Sequence, residues 1–547
     1  MEIFLIVAAN FRPGLAKATG LSSMMAPSQV CHHWRLVALA CAELWSRVHL
    51  SHRRLTQLFM SRVGEAGLRV HVHPKHAKRA APTFLRYHSQ RIESLYISLP
   101  LPQLQAHFTR RIIDISFENL HTLTLRTMGT HAASILLAEA PFVKYAEDGT
   151  PSCPLRRLSL YGAAFRWDSP MYTSLTYLTI SRSTFDPSLS ISEIVSLLGR
   201  IVNLQSFTLL QCRLSGPTID LGVQPLVLSK LHSLTVHAWD DQGWSRDLFQ
   251  CLSLPSLRTL DCDSSILSAP ATVRVVQGLT KWPHSASLQI TSEHLGHFCA
   301  RFLATNGNSL RISFRDSPSV YSLDQSFIYQ TITCIAPIID TSHITSLRFG
   351  GNIFSASATK LAFAKQYTGI TTICLHHLKR AETLTLQGDA ALVTIDALFV
   401  HTMRCVGVCS FPKAHGMDEY GQQTRLLPAL QVIRLGNIDF DCAGQYARCH
   451  HEHEHGPLIG PSLMDLLVAF VWMRKRLGIP ITHISITRCN NVHDDEIDLL
   501  SKAVRVIWDG EGASHRGDAG KMSLSPFDFA LDVFARHVNL TTSDPFM

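Results

Sequence analysis

The hexapeptide Leu155-Arg156-Arg157-Leu158-Ser159-Leu160 is the clearest copy of the pattern that decides the fold. Its last three residues alternate apolar, polar and apolar, so Leu158 and Leu160 point to one face of a β-strand. Leu155, three positions earlier, would pack in the turn that enters the strand. One such strand cannot bury its apolar face alone, and we therefore expect it to stack against strands of the same kind.

The same pattern, L-x-x-h-x-h with h apolar, recurs along the chain. Five further copies occupy Leu120–Leu125, Leu175–Ile180, Leu204–Leu209, Leu231–Val236 and Leu257–Cys262. Related cores lie at Ile92–Ile97, Leu310–Phe314, Ile344–Phe349, Leu384–Leu386, Leu430–Leu435 and Ile481–Ile486. Successive copies start 20 to 35 residues apart, a spacing typical of repeats that each contribute one strand to a parallel ladder.

Helices are predicted where the chain returns between strands. One is residues 192–198, and a second is Leu463 to Arg476, with Leu463, Leu466, Leu467, Phe470 and Val471 on one face. Arg474, Lys475 and Arg476 suit the negative end of that helix, and Gly478 with Pro480 would end it. Residues 481–510 predict one further unit of strand, turn, helix and closing strand. The sequence therefore predicts an α/β fold with a parallel sheet.

The first fifty residues carry a different pattern. Val30, Trp34, Val37 and Ala38 recur at helical spacing, Leu44-Trp45 follow, and Glu2-Ile3-Phe4-Leu5 is an earlier helical start. This series, E-I-F-L and later V-C-x-x-W-R-x-x-A-L-x-x-x-x-L-W, resembles an F-box domain, most closely the F-box-like domains of mushroom-forming fungi. The predicted domain is N-terminally incomplete, because the Leu-Pro-x-Glu stretch usual in that family does not precede Glu2.

The resemblance implies a binding role for this domain. F-box domains dock on a small Skp-type adaptor that joins them to a cullin ubiquitin ligase. The implied adaptor-binding residues are Phe4, Leu5, Val30, Trp34, Ala38, Leu44 and Trp45. The alternative is that Trp34 and Trp45 are ordinary core aromatics of a small helical cap.

The repeated strands resemble an irregular leucine-rich-repeat solenoid of the kind found behind F-boxes. The expected organisation is an F-box-like helical domain at 1–50, a basic linker or first cap at 51–90, the solenoid at 91–509 and a mobile tail with a possible short helix at 510–547. An ordinary α/β domain with a parallel sheet is the competing interpretation, because alternation of strands and helices does not separate the two.

In a solenoid of parallel strands the x positions of the motif point to the concave face and line up as columns. The residues expected there, as a surface for an unknown protein substrate, are Arg157, Ser159, Tyr177, Thr179, Gln205, Thr208, His232, Thr235, Arg258 and Asp261, with Ser206, Ser233 and Thr259 between them.

Composition excludes several classes of protein. Hydrophobic residues make up 46% of the chain and charged residues 17%, which is typical of a globular protein rather than a disordered one. The net charge of +8 is small for 547 residues, and the basic excess is local, between Arg47 and Arg91. That segment could bind nucleic acid, but no aromatic residues interleave its charges in a stacking pattern, so we expect a solvated face instead.

Compartment and chemistry are inferred from what the sequence lacks. It has no run of eighteen apolar residues and no secretory signal, so the fourteen cysteines are expected to be reduced, in the cytoplasm or nucleus. His451-Glu452-His453-Glu454-His455 spells a zinc-protease motif, but Gly456-Pro457 would break the helix that this chemistry requires. We predict an exposed histidine-rich loop at 450–455, no metal, no cofactor and no enzymatic activity.

The sequence therefore favours a substrate-recognition subunit of a cullin-type ubiquitin ligase. One alternative is a repeat-only interaction scaffold with a degenerate F-box that binds no adaptor. The other is a nucleic-acid-associated repeat protein that uses Arg47 to Arg91.

Overall fold

The structure is a computed structural model. It describes residues 31–50, 53–72, 74, 80–110, 112, 114–128, 135–137, 142–145, 151–181, 190–212, 224–238, 244–263, 286–294, 297–304, 308–315, 344–351, 378–388, 390–391, 394–395, 398–399, 402, 427–440, 462–510 and 533. The chain divides into two compact units, Met1–Leu257 and Arg258–Met547. Both are mixed α/β with a large, mostly parallel sheet.

The first unit pairs short helices with a parallel sheet. The helices are α1 (His32–Ala40), α2 (Ala42–Trp45), α3 (Arg53–Val63), α4 (Ala80–His88), α5 (Leu101–Arg110), α6 (Ile191–Arg200) and α7 (Trp244–Gln250). The strands are β1 (Arg47–His49), β2 (Leu68–Val72), β3 (Ile92–Pro100), β4 (Thr122–Met128), β5 (Ile135–Leu137), β6 (Lys144–Tyr145), β7 (Pro151–Ser152), β8 (Arg157–Tyr161), β9 (Ala163–Phe165), β10 (Tyr177–Ser181), β11 (Ser206–Cys212), β12 (Leu226–Val227), β13 (Ser233–Ala238) and β14 (Leu252–Ser253).

The sheet of the first unit runs in the order β1-β2-β3-β4-β8-β10-β11-β13, and every neighbouring pair is parallel. The remaining strands form the small pairs β5–β9, β6–β7 and β12–β14. Because spatial order follows chain order, each strand is followed by a return segment that brings the chain back to the same end of the sheet.

The second unit is built in the same way, with one hairpin. Its strands are β15 (Thr259–Asp263), β16 (Ala286–His294), β17 (His297–Ala304), β18 (Ser309–Arg315), β19 (Ile344–Gly351), β20 (Thr383–Gln387), β21 (Val432–Gly436), β22 (His483–Thr487) and β23 (Arg505–Trp508), and its helices are α8 (Leu463–Arg476) and α9 (Asp494–Ser501). The order is β15-β18-β17-β16-β19-β20-β21-β22-β23.

One strand of the second unit departs from the predicted parallel ladder. β17 is antiparallel to both of its neighbours, β16 and β18. Only two residues separate β16 from β17, and a connection that short can return the chain only in the opposite direction. The other pairings in this sheet are parallel.

The repeated motif forms strands wherever it was identified, which confirms the parallel arrangement predicted from it. In the first unit the motif residues are in register: Leu123, Leu158, Leu178, Phe207 and Leu234 occupy one row across the sheet. These residues are buried, as are the leading leucines of all six L-x-x-h-x-h copies. The apolar rows therefore form the core between the sheet and the return segments.

Both helices predicted between strands are present. α6 begins with a capping box, in which Ser190 and Glu193 satisfy each other's backbone N–H groups. α8 has the predicted bounds and a capping box formed by Ser462 and Asp465. The five residues predicted to share one face of α8 are all buried, and so are residues beyond that face, including Val468, Ala469 and Arg474.

The sheet starts earlier than the sequence predicted. The segment 51–90, expected to be a linker or first cap, contains α3, β2 and α4, and β2 pairs with β1 on one side and β3 on the other. The proposed boundary at residue 91 therefore falls inside the sheet, and β1, expected in the helical domain, is a strand of it. β2 forms because Leu68, Val70 and Val72 alternate with polar residues and are buried. In the sequence this alternation is hard to recognise among the surrounding charged residues. Apart from Gly510 and residue 533, the predicted tail lies outside the described residues.

Candidate functional site

The helix α1 presents apolar side chains to solvent. Cys31 precedes it, and its Sγ accepts a hydrogen bond from the backbone N–H of Trp34 at 3.4 Å. Ala38 is the buried residue of this helix, whereas Leu36 and Leu39 are 53% and 37% exposed. Trp34 and Val37 are half-buried. Leu36 and Leu39 therefore form a small exposed apolar patch beside these half-buried side chains.

Three of the predicted adaptor-binding residues are buried and offer no contact surface, namely Ala38 on α1, and Leu44 and Trp45 on α2. The Trp45 indole N–H donates to the Ala38 carbonyl at 2.8 Å, its ring meets Phe59 edge-on with centroids 5.4 Å apart, and the Arg62 guanidinium lies 4.4 Å from the ring centroid. Assigning Leu44 and Trp45 to a contact surface is therefore wrong, because both pack inside the unit, where Trp45 joins α1 to α3. Phe4, Leu5 and Val30 lie outside the described residues.

Opposite its apolar core, the sheet of the first unit carries a polar face, which we define by two rows of residues in register. The first row is Arg47, Arg69, Ser94, Thr122, Arg157, Tyr177, Ser206 and Ser233, and the second is His49, His71, Tyr96, Thr124, Ser159, Thr179, Thr208 and Thr235. The predicted alignment of Arg157, Ser159, Tyr177, Thr179, Ser206, Thr208, Ser233 and Thr235 is confirmed within this unit.

Four other predicted target-binding residues lie outside these rows. Gln205 and His232 precede the strands β11 and β13, and the His232 N–H donates to the Gln205 carbonyl at 2.8 Å. Arg258 and Asp261 belong to the second unit, where the Arg258 carbonyl accepts from the Ser309 N–H and Asp261 forms an ion pair with Arg311 at 3.5 Å.

The polar face contains one exposed pair of the residue types that dominate protein interfaces. The Arg157 guanidinium lies 4.3 Å from the centroid of the Tyr177 ring, in a cation–π contact between neighbouring strands. Arg157 is exposed and Tyr177 is 37% exposed. Because each residue holds the other in place, the pair offers a preorganised planar cation and an aromatic edge to a partner.

At the first strands the second row of the polar face is aromatic rather than cationic. The rings of His49 and His71 are stacked with centroids 4.6 Å apart, and the ring of Tyr96 lies 5.2 Å beyond His71. Burial, the neighbouring His49 and the Arg47 charge lower the pKa of His71 to about 3, and burial with Arg47 lowers the pKa of His49. Both imidazoles are therefore neutral at pH 7, and this ladder adds no charge to the face.

Several cations of the basic segment 47–91 have structural contacts. Arg62 covers Trp45, and the Arg91 guanidinium donates to the carbonyls of Gly64 and Ala66. Arg47 and Arg69 are neighbours in register on the polar face, while Arg54 is exposed on α3. These described cations are thus distributed over the sheet face, the core and a helix, and do not form one continuous patch.

In the part of the chain that the structure describes, no group of three or more His, Cys, Asp or Glu side chains could hold a metal ion. The described cysteines are free thiols, as predicted for them. The histidine tract 450–455 lies outside the described residues. Of the described helices, none is both long and apolar enough to span a membrane.

The chain matches no known family model, and no curated protein is detectably similar to it in sequence.

Proposed function

We propose that this protein is a substrate-recognition subunit of a cullin-type ubiquitin ligase, with an F-box-like segment that holds an Skp-type adaptor and an irregular leucine-rich-repeat solenoid that holds a target protein. Two observations support the proposal. The motif-bearing helix α1 exposes Leu36 and Leu39, and the strands that follow carry an in-register polar face with Arg157 stacked on Tyr177. The ubiquitin-transfer chemistry would belong to partner enzymes.

The proposed adaptor contact is based on the exposed leucines of α1. A helix that lays apolar residues into a partner's groove uses side chains at three- and four-residue spacing. Leu36 and Leu39 are three residues apart and adjoin the half-buried Trp34 and Val37. The adaptor contact would therefore use the outer side of α1, while Leu44 and Trp45 support α1 from below.

Replacing Leu36 and Leu39 together with aspartate should abolish co-purification of the Skp-type adaptor and leave the melting temperature within about 2 °C of the wild type, because exposed substitutions rarely change stability by more than about 0.5 kcal/mol. The measurement is adaptor recovery in a pulldown from cells. Val202→Asp is the matched control, because Val202 is an exposed aliphatic residue in the same unit but away from α1, 69% exposed.

The alternative function is a repeat-only interaction scaffold whose F-box-like segment binds no adaptor. The exposed Leu36 and Leu39 favour the adaptor-binding form, because they lie on the helix whose residues carry the resemblance to an F-box domain. If the wild-type protein recovers neither adaptor nor cullin while it still captures other proteins, the scaffold is the correct interpretation.

The proposed target-binding surface is based on the Arg157–Tyr177 pair. Arg157→Glu should lower capture of target proteins by about tenfold or more, because arginine and tyrosine at the centre of an interface commonly contribute 2 kcal/mol or more. The readout is quantitative mass spectrometry of proteins co-purified with the adaptor-bound chain. Arg54→Glu makes the same charge reversal on the exposed side of α3 and should leave the captured set unchanged. If Arg54→Glu lowers capture and Arg157→Glu does not, the target binds the helical side of the first unit instead.

A further inference from the structure

The second unit carries a row of arginines across its sheet that the sequence analysis did not predict. The row, defined by residues in register on neighbouring strands, is Asp261, Arg311, Arg301, Gln289, Arg348, Thr385, Arg434 and Ser485. These residues lie on the face opposite the buried apolar rows that contain Leu310, Ile312, Leu347 and Leu384. We call them the arginine row.

The arginine row has more positive charge than its own residues neutralise. It contains four guanidinium groups and one carboxylate, that of Asp261, which pairs with Arg311 at 3.5 Å. Arg348 donates to the neutral side-chain oxygen of Gln387 at 2.6 Å. Arg301 and Arg434 are exposed, and neither makes an ion pair or side-chain hydrogen bond with another residue that the structure describes.

The placement of these charges is unfavourable in the isolated chain. Arg301 and Arg311 stand directly opposite each other on β17 and β18, and like charges in that position destabilise a sheet. Arg311 is held on this face by the Asp261 carboxylate and by the Cys299 sulfur, which accepts from its Nε–H at 2.9 Å. An anionic partner would remove this repulsion, and its binding would therefore stabilise the unit as well as the complex.

The spacing of the row indicates the form of the ligand. Neighbouring strands are about 4.8 Å apart, so Arg301, Arg348 and Arg434, each two strands from the next, are spaced about 10 Å apart. An extended peptide in the polyproline II conformation rises about 3.1 Å per residue with three residues per turn, so every third side chain lies on the same side, about 9 Å from the next. Acidic groups at every third residue of an extended segment would therefore meet successive arginines, each of which can bind a carboxylate or a phosphate with two parallel hydrogen bonds.

The residues beside the row favour a peptide over a nucleic acid. The flanking positions on the same face include Ser309, Ser346, Thr383, Gly350 and Gly436, which are small. Among the described residues of the row and of these flanks there is no Phe, Tyr or Trp. Single-stranded nucleic acids bind proteins by stacking bases on aromatic rings as well as by phosphate contacts, and this face provides no such platform.

We propose that the arginine row binds an extended acidic segment of a partner protein, with anionic side chains about three residues apart. The inference deepens the proposed function by naming the chemistry of the target. The test of peptide binding needs only this chain and synthetic ligands. A protein that fails to bind the adaptor could therefore still bind the acidic peptide, and a protein that fails to bind the peptide could still bind the adaptor.

The test is fluorescence anisotropy with the full chain and a labelled twelve-residue peptide that carries Glu at every third position. A Gln version of the peptide, a phosphoserine version and a single-stranded RNA of equal charge are the comparison ligands. The Glu peptide should bind, the Gln peptide should not, and affinity should fall as salt rises. Equal or weaker binding of the phosphoserine peptide assigns the anion to carboxylates, and tighter binding assigns it to phosphorylation; both support the proposal.

The variants locate the binding. Arg301→Gln combined with Arg434→Gln should weaken binding of the Glu peptide about tenfold and reduce the salt dependence of that binding. Lys379→Gln combined with Arg380→Gln removes the same two positive charges from exposed positions in the turn before β20 and should change the affinity less than about twofold. Equal losses in the double variant and the control, no binding of either acidic peptide, or RNA bound more tightly than both would overturn the proposal.

Discussion

Replacing Trp45 with alanine should lower the free energy of unfolding of the first unit by about 3–5 kcal/mol, the cost typical of truncating a fully buried aromatic residue. The indole is fully enclosed, bonded to the Ala38 carbonyl, and packed on Phe59 and Arg62. Its removal takes away the contacts by which α1 is held against α3. Chemical denaturation followed by circular dichroism measures the loss.

Trp34→Ala is the control for this prediction. Trp34 is half-buried, so its truncation should cost about 1 kcal/mol and act mainly on adaptor binding. Trp45→Ala thus tests folding, and Trp34→Ala tests adaptor binding. Unchanged stability of Trp45→Ala together with lost adaptor binding would show that Trp45 is a contact residue rather than a core residue.

Replacing Arg474 with methionine should destabilise the second unit by about 3 kcal/mol or more. This buried residue of α8 donates from Nε to the Ile479 carbonyl at 3.2 Å, and from one terminal nitrogen to the carbonyls of Leu427 and Leu430 at 3.0 and 3.2 Å. Methionine keeps much of the volume but removes the donor of the Leu430 and Ile479 carbonyls, while the Leu427 carbonyl keeps only the bond from the Leu430 N–H. Each buried polar group left without a partner costs about 1–3 kcal/mol.

The contacts of Arg474 also hold a strained turn. Leu427 has a positive φ of 43°, a conformation that is costly for a leucine. Burial lowers the pKa of Arg474 to about 10, so the guanidinium is charged at neutral pH and available to these carbonyls. Hydrogen exchange of the amides at 427–436 should therefore accelerate in Arg474→Met before the rest of the unit is affected.

Arg476→Met is the matched control for Arg474→Met. Arg476 is exposed in the same last turn of α8, and its replacement should cost less than about 0.5 kcal/mol. Both arginines suit the negative end of the helix, so a similar loss in the two variants would mean that helix-end charge, rather than the buried hydrogen bonds, is what Arg474 contributes.

Much of the strand arrangement could be predicted from the chain because the repeated motif carries it locally. Each L-x-x-h-x-h copy specifies a buried leucine in the turn and two apolar residues on one strand face, so strands such as β8 and β10 were located with their inward and outward faces. β1 and β2 were missed because three to five alternating residues are a weak signal among charged neighbours. β17 was missed because nothing in its own sequence distinguishes an antiparallel strand from a parallel one.

The candidate site was less predictable than the fold. Leu36 and Leu44 are equally apolar in sequence, yet one is exposed and the other buried, because burial depends on what α3 places beneath α2. Arg301, Arg348 and Arg434 are separated by 47 and 86 residues in the chain, and only their strand register puts them in one row.

The sequence by itself determined the alternation of apolar and polar residues, the helix caps and the parallel stacking, because these depend on interactions within a few residues and on a repeated need to bury one strand face. The tertiary structure decided which apolar side chains became core and which charges became neighbours. That difference has a physical reason: register between strands brings together residues far apart in the chain, and no local pattern specifies it.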